Sequence, residues 1–350
     1  YYYYYYYYYY ITPLIIACSN GYKKIVDYLL ICGAEINHGD DDGRIPLHAS
    51  SENGHQKTVH SLVKSGAKIN CSDNHGRTPL HAASTQGHEK IVAYLVKSGA
   101  EVNRPDNDGR TPLHASSESG HLKTTLYLLN SNAKINFPDN DGSTPLHSAS
   151  ENGHLKIVEL LLELGAEIDC ADNDGWTPLY AAAYNGYKKT VECLVRSGAE
   201  INRADCGRSP LYAACEKGHG KTVEYLVRSG AEFDRAFTYG CTPLFGAAAN
   251  GHAGIVRFLV ELGAGINCAD DGGRTPLYAA AENGRGNVVE YLVECGAEVN
   301  RADNYGWTPL RAASFRKHTE IEVFLEARGA RVSLQLNHKL TDESLNISIG

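Results

Sequence analysis

Thr78-Pro79-Leu80-His81 returns with small changes along the whole chain, and its proline sets the period: Pro13, Pro46, Pro79, Pro112, Pro145, Pro178, Pro210, Pro243, Pro276 and Pro309. Every step is 33 residues except the 32 between Pro178 and Pro210. A fixed period of this length marks supersecondary units that cannot bury a core alone and must stack on one another. The phrase itself starts a helix. Threonine offers an oxygen for the N-cap, and proline, which has no N–H to donate, fits the first helical position.

One repeat reads in full from Asp141 to Asn173. Asp141-Gly142-Ser143 is turn chemistry, Thr144-Pro145 opens a short first helix, and Asn152-Gly153 closes it. A second helix is expected from about His154 to Leu164, with Ile157, Val158, Leu161, Leu162 and Leu164 on one apolar face, and Gly165 ends it. Ala166 to Asn173 then runs outward as an extended loop. A first helix of about two turns does not persist alone in water, so stacking must supply the stability. Small residues such as Ala82, Ala83, Ala181, Ala182, Ala213 and Ala214 let first helices approach closely, while Ile, Val and Leu of the second helices fill the shared core.

The turn, the Thr-Pro-Leu-His phrase, the Gly-His start of helix two and the Gly-Ala-Glu-Ile-Asn close resemble the ankyrin repeat, in ten copies from about Ile11 to Val332. The resemblance implies an all-α fold, a solenoid of stacked helix-turn-helix units with projecting β-hairpin loops. It also implies a concave face built from hairpins and first helices that binds protein, and no catalysis by the repeat itself. It further implies that His48, His81, His114 and His147 are structural, bonding to the threonine and the loop backbone. A metal role for these histidines fails on distance, since packed helices lie about 8–10 Å apart and zinc needs nitrogens at about 2.0–2.1 Å.

The bulk numbers agree with a binding array. In 350 residues, 33 basic against 41 acidic side chains give a net charge of -8, which argues against sequence-independent binding to nucleic acid or an anionic membrane. The ten cysteines include no closely spaced pair of the zinc or redox kind and read as reduced thiols, so the expected location is cytoplasmic. Cys206, Cys215 and Cys241 fall in neighbouring repeats and read as scattered small residues rather than a thiol cluster. Asn70-Cys71-Ser72 and Asn346-Ile347-Ser348 match the glycosylation pattern without a secretory signal beside them. No glycine-rich phosphate loop and no recurring nucleophile, base and acid are present, so no cofactor, no metal and no enzyme activity are expected. Tyr1 to Tyr10 read as a stand-in for unassigned residues; the array spans 11–332, and 333–350 leaves the period as a tail.

Departures from the repeat point to the candidate site. Repeat seven has lost a residue in its entering loop, Asp205-Cys206-Gly207, and repeat eight carries Phe237 and Tyr239 where its neighbours keep an acidic tip. The last repeat has Lys317 in place of the glycine that closes helix one. In the helix-one position that the resemblance exposes on the concave face stand Ser19, Glu52, Thr85, Glu118, Glu151, Tyr184, Glu216, Ala249, Glu282 and Phe315. The residue after the turn glycine is arginine in five repeats, and both tryptophans of the chain, Trp176 and Trp307, take that same place. Tryptophan, tyrosine and arginine carry much of the energy of protein interfaces.

Two patches are therefore expected to bind a protein or peptide. A central one, in the groove around repeats six to eight, joins Trp176, Tyr184, Phe237 and Tyr239 with Arg208 and Glu216; a terminal one joins Tyr305, Trp307 and Phe315. The competing reading is that each aromatic packs on its own neighbours or covers the last repeat. A ladder of Lys24, Lys57, Lys90, Lys123, Lys156, Lys189 and Lys221 reads as a solvated face with pairs such as Lys156 to Glu159. It is also the surface that a spacer or tether in a larger assembly would use, while a targeting arm of a larger enzyme is the third reading.

Overall fold

The computed structural model describes residues 12–205 and 207–331. Tyr1 to Tyr10, Cys206 and the tail 333–350 lie outside the described residues. The chain divides into two compact units between Glu200 and Ile201. The first holds α1 (Pro13–Ser19), α2 (Lys23–Ile31), α3 (Pro46–Glu52), α4 (Gln56–Lys64), α5 (Pro79–Thr85), α6 (Glu89–Lys97), α7 (Pro112–Glu118), α8 (Leu122–Asn130), α9 (Pro145–Glu151), α10 (Leu155–Glu163), α11 (Pro178–Tyr184) and α12 (Lys188–Arg196). The second holds α13 (Pro210–Lys217), α14 (Gly220–Arg228), α15 (Pro243–Asn250), α16 (Ala253–Glu261), α17 (Pro276–Glu282), α18 (Gly286–Glu294), α19 (Pro309–Phe315) and α20 (Thr319–Ala327). The architecture is all-α. The loops project as tight turns, and no residue among those described lies in a β-strand.

Each short helix begins at the expected proline, but the cap takes two forms. Thr177, Thr242 and Thr275 accept a hydrogen bond from the backbone N–H three residues on. In repeats four and five the threonine side chain makes no such cap, and its hydroxyl lies 2.9 Å from the Nδ1 of His114 or His147. The histidine ring closes the turn there instead, because its Nδ1 accepts the N–H of Thr111 or Thr144 at 3.1 Å. The second helices end in a left-handed residue as the glycines predict. Gly120 shows why glycine stands between the helices. At φ +80 a Cβ there would lie 2.7 Å from the ring of His154, whose Nε2 donates to the carbonyl of Glu118. Lys317 keeps the same conformation at φ 64 in the last repeat, where a side chain costs about 1 kcal/mol more than glycine.

Within each unit, first helices stack on first helices and second helices on second helices. One leucine per repeat, from Leu47 and Leu80 to Leu146 and Leu179, is fully shielded between first helices of the first unit, and Leu211, Leu244 and Leu277 do the same in the second. Burying such a side chain contributes about 1.5–3 kcal/mol. Repeat one shows what stacking does. Ile25 is 50% exposed, whereas Ile91 and Ile157 at the same place in later repeats are 2% and 1% exposed beneath a preceding helix pair.

The loops are tied along the stack by asparagines. Asn107 donates from its amide to the carbonyl of Asn74, Asn140 to that of Asn107, and Asn173 to that of Asn140, at 2.9–3.0 Å. Most turns are closed from within by an aspartate such as Asp73, Asp106, Asp139, Asp172 or Asp303; Asp73 accepts the N–H groups of His75 and Arg77 at 2.9 Å. These bonds hold the position after the turn glycine in a fixed place.

Candidate functional site

The histidine ladder of the first unit fixes the backbone that presents the candidate anchors. The Nε2 of His48, His81, His114 and His147 lies 2.9–3.1 Å from the carbonyl of Arg77, Arg110, Ser143 and Trp176 respectively. Nε2 must carry the proton, because the other partner is a carbonyl; Nδ1 must be bare, because a backbone N–H points at it. The rings are therefore neutral. Burial pushes all four below the ordinary value of 6.5, His81 and His114 to about 4.

Trp176 sits on this framework. Its N–H donates to Asp172 at 2.8 Å, and its carbonyl accepts both the N–H of Asp172 and the ring of His147. The indole is half-buried and meets Tyr184 at 5.0 Å and Tyr180 at 4.8 Å between ring centroids. An anchor held by its own backbone on both sides loses little freedom on binding.

The structure also reveals a pairing. In five repeats the residue after the turn glycine touches the residue eight positions later, at the end of helix one. In repeats two, four and seven this pair is ionic: Arg44 with Glu52 at 3.7 Å, Arg110 with Glu118 at 2.7 Å, and Arg208 with Glu216 at 3.3 Å. In repeats six and ten it is aromatic: Trp176 with Tyr184, and Trp307 with Phe315 at 5.2 Å. Each aromatic thus has its own partner and still shows part of its surface. The signal was in the sequence, because both members of the pair change together.

Trp176 and Tyr184 belong to the first compact unit, and Arg208, Glu216, Phe237 and Tyr239 to the second. In the second unit Arg208 bonds Glu216 and covers the Tyr212 ring at 5.3 Å. Phe237 and Tyr239 share the repeat-eight loop, which turns through a short 3-10 segment, Thr238–Gly240. Phe237 is half-buried beneath the guanidinium of Arg235 at 5.6 Å. Tyr239 is 71% exposed and adopts a left-handed backbone at φ 63, which disfavours a bulky side chain. Replacing the turn aspartate by Phe237 also removes the carboxylate that closes other loops.

In the last repeat, Trp307 is held as Trp176 is, with its N–H on Asp303 at 2.8 Å and its carbonyl accepting the N–H of Asp303. Phe315 and Tyr305 beside it are 66% and 81% exposed. Arg311, which takes the place of the ladder histidine, stacks over the Trp307 ring at 4.4 Å. Arg311 stands outside the site expected from the sequence, although it is the one cation at a position that is histidine or aromatic in repeats two to nine.

Other groups behave as packing or solvated surface. Cys215 is buried and its thiol is pushed up by burial, while Cys241 is half-buried. Among the described residues no group of three or more histidine, cysteine or carboxylate side chains is arranged to hold a metal. Lys156 pairs with Glu159 at 2.7 Å, and the lysine row stands exposed. No helix among the described residues is long and apolar enough to cross a membrane.

The family model described as ankyrin repeats (3 copies) matches residues 14–106, 66–139, 105–172, 136–205, 164–236, 202–270 and 244–335. A comparison with curated proteins gave no match. Among solved structures, the crystal structure of the human ASB11 ankyrin repeat domain is similar, with 28% sequence identity and a TM-score of 0.60. That similarity covers 64% of this chain and 100% of the human domain.

Proposed function

The chain belongs to the ankyrin-repeat family, whose repeats are in general protein-interaction modules, and on that premise we propose that it is a non-catalytic scaffold binding a protein or peptide through the aromatic residues of repeats six to eight. The observation that carries this is the exchange of the Arg–Glu pair for Trp176 and Tyr184. An ion pair at this place is satisfied and well hydrated. Two half-buried rings on a fixed backbone instead offer apolar area that a partner can cover at small entropic cost. Tyr239, exposed in an unfavourable backbone conformation, is the corresponding anchor of the second unit.

The test is a pull-down from native extract with three folded proteins: the intact chain, a Trp176→Ala/Tyr184→Ala variant, and an Arg110→Ala/Glu118→Ala control at the equivalent pair of repeat four. The aromatic variant is expected to lose about 1–4 kcal/mol of affinity for one specific partner that the control retains. Equal retention by both variants, with unchanged circular dichroism, would overturn the aromatic site and favour the spacer reading, for which the exposed row from Lys24 to Lys189 is the available surface.

A further inference from the structure

The last repeat carries a second site of different chemistry. Around the Trp307 ring the acidic groups are already engaged. Asp303 accepts the N–H groups of Tyr305 and Trp307 and is hydrogen-bonded to the Tyr278 hydroxyl. Glu282 is bonded by Arg316 at 3.2 Å. The cations are not all matched. The Arg311 guanidinium lies 4.4 Å over the indole and has no hydrogen-bond or ion-pair partner among the described residues. The chain as a whole is acidic, at -8, so this unmatched positive charge is a local reversal.

We propose that Arg311, Trp307 and Phe315 form a docking site for an acidic peptide segment in which a carboxylate stands next to an apolar side chain. A guanidinium stacked on a ring is held in plane, with its edge N–H groups directed outward, and it takes a carboxylate through two parallel hydrogen bonds. Phe315, packed edge-on against Trp307 and 66% exposed, supplies the apolar contact next to it. Charge complementarity selects an acidic partner: a basic one would meet the Arg311 guanidinium, and a nucleic acid would meet a protein of net charge -8. The site lies in the second compact unit and is independent of the proposal for repeats six to eight.

Trp307 is its own reporter, because the chain has only two tryptophans and Trp176→Phe leaves one. The probes are a capped peptide in which glutamate alternates with leucine, and its glutamine counterpart. In the Trp176→Phe protein the glutamate peptide is expected to shift Trp307 emission saturably, and the glutamine peptide is not. Adding Arg311→Gln should weaken binding about tenfold or more, and raising ionic strength should weaken it further. Among the described residues the Arg311 side chain makes no hydrogen bond or ion pair, and circular dichroism checks that the variant is folded. Equal binding of the two peptides, unchanged affinity of the Arg311→Gln protein, or no shift at millimolar peptide would each overturn the proposal. Because Trp176 is already replaced, none of these results bears on the anchors of repeats six to eight.

Discussion

The two compact units solve the same packing problem with different chemistry. In repeats two to five the third residue of helix one is His48, His81, His114 or His147, bonded at both nitrogens; in repeats seven to nine of the second unit it is Tyr212, Phe245 or Tyr278, buried as a ring. Three residues further on, the first unit buries Ser51, Ser84, Ser117 and Ser150, whose hydroxyl oxygens find no hydrogen-bond partner among the described residues. The second unit places Cys215, Ala248 and Ala281 there. One backbone therefore tolerates a polar, titratable interior and an apolar one. The first should respond to pH and to removal of hydroxyls in ways that the second does not.

The largest expected difference is in acid. His81 and His114 titrate at about 4 in the folded chain against an ordinary 6.5. Above pH 6.5 both folded and unfolded chains are unprotonated at these rings, and their full contribution to stability is present. As pH falls from 6.5 toward 4 the unfolded chain takes up the protons first, so each ring withdraws about 3 kcal/mol from the stability of the folded state. His48 and His147, also lowered, add in the same direction. Amide hydrogen exchange at pH 4.5 compared with pH 7.5 should show α5 to α10 losing protection well before α13 to α18. Loss of both units together at the same pH would break the comparison.

A smaller effect tests the hydroxyls. Ser117→Ala should raise the urea midpoint of the first unit by an amount equivalent to about 1 kcal/mol, since a buried hydroxyl without a partner is replaced by the methyl group already used in the second unit. An unchanged or lowered midpoint would show that the hydroxyl is satisfied. The smallest effect concerns the ionic pairs that Trp176 and Tyr184 replace. Arg110 and Glu118 are partly exposed, so Glu118→Gln should cost less than about 1 kcal/mol in thermal denaturation and less still in high salt. A larger loss would mean that the pair, like the rings, holds the loop in place.

The candidate site was only partly readable in advance. Trp176 and Trp307 could be singled out because both tryptophans occupy one loop position, and Tyr184 and Phe315 because they interrupt a row of small and acidic residues. That these four are two pairs was not read, since contact across eight residues depends on how the turn folds back over the end of helix one. Arg311 was visible as the one cation at a position held in repeats two to nine by histidine and then by Tyr180, Tyr212, Phe245 and Tyr278, but its stacking on Trp307 depends on a side-chain direction that no spacing gives.

The sequence by itself determined the period, the helix starts and the glycine stops, because each rests on the conformational preference of one or two residues: proline's fixed φ, threonine's oxygen, glycine's access to φ above zero. Only the tertiary structure decided which partners the side chains find. His147 reaching the carbonyl of Trp176, Asn107 reaching that of Asn74, and Trp176 resting on Tyr184 all join groups brought together by stacking and loop closure. The direction of each proton and ring follows from the three-dimensional neighbourhood of its donor or acceptor, which a linear spacing does not contain.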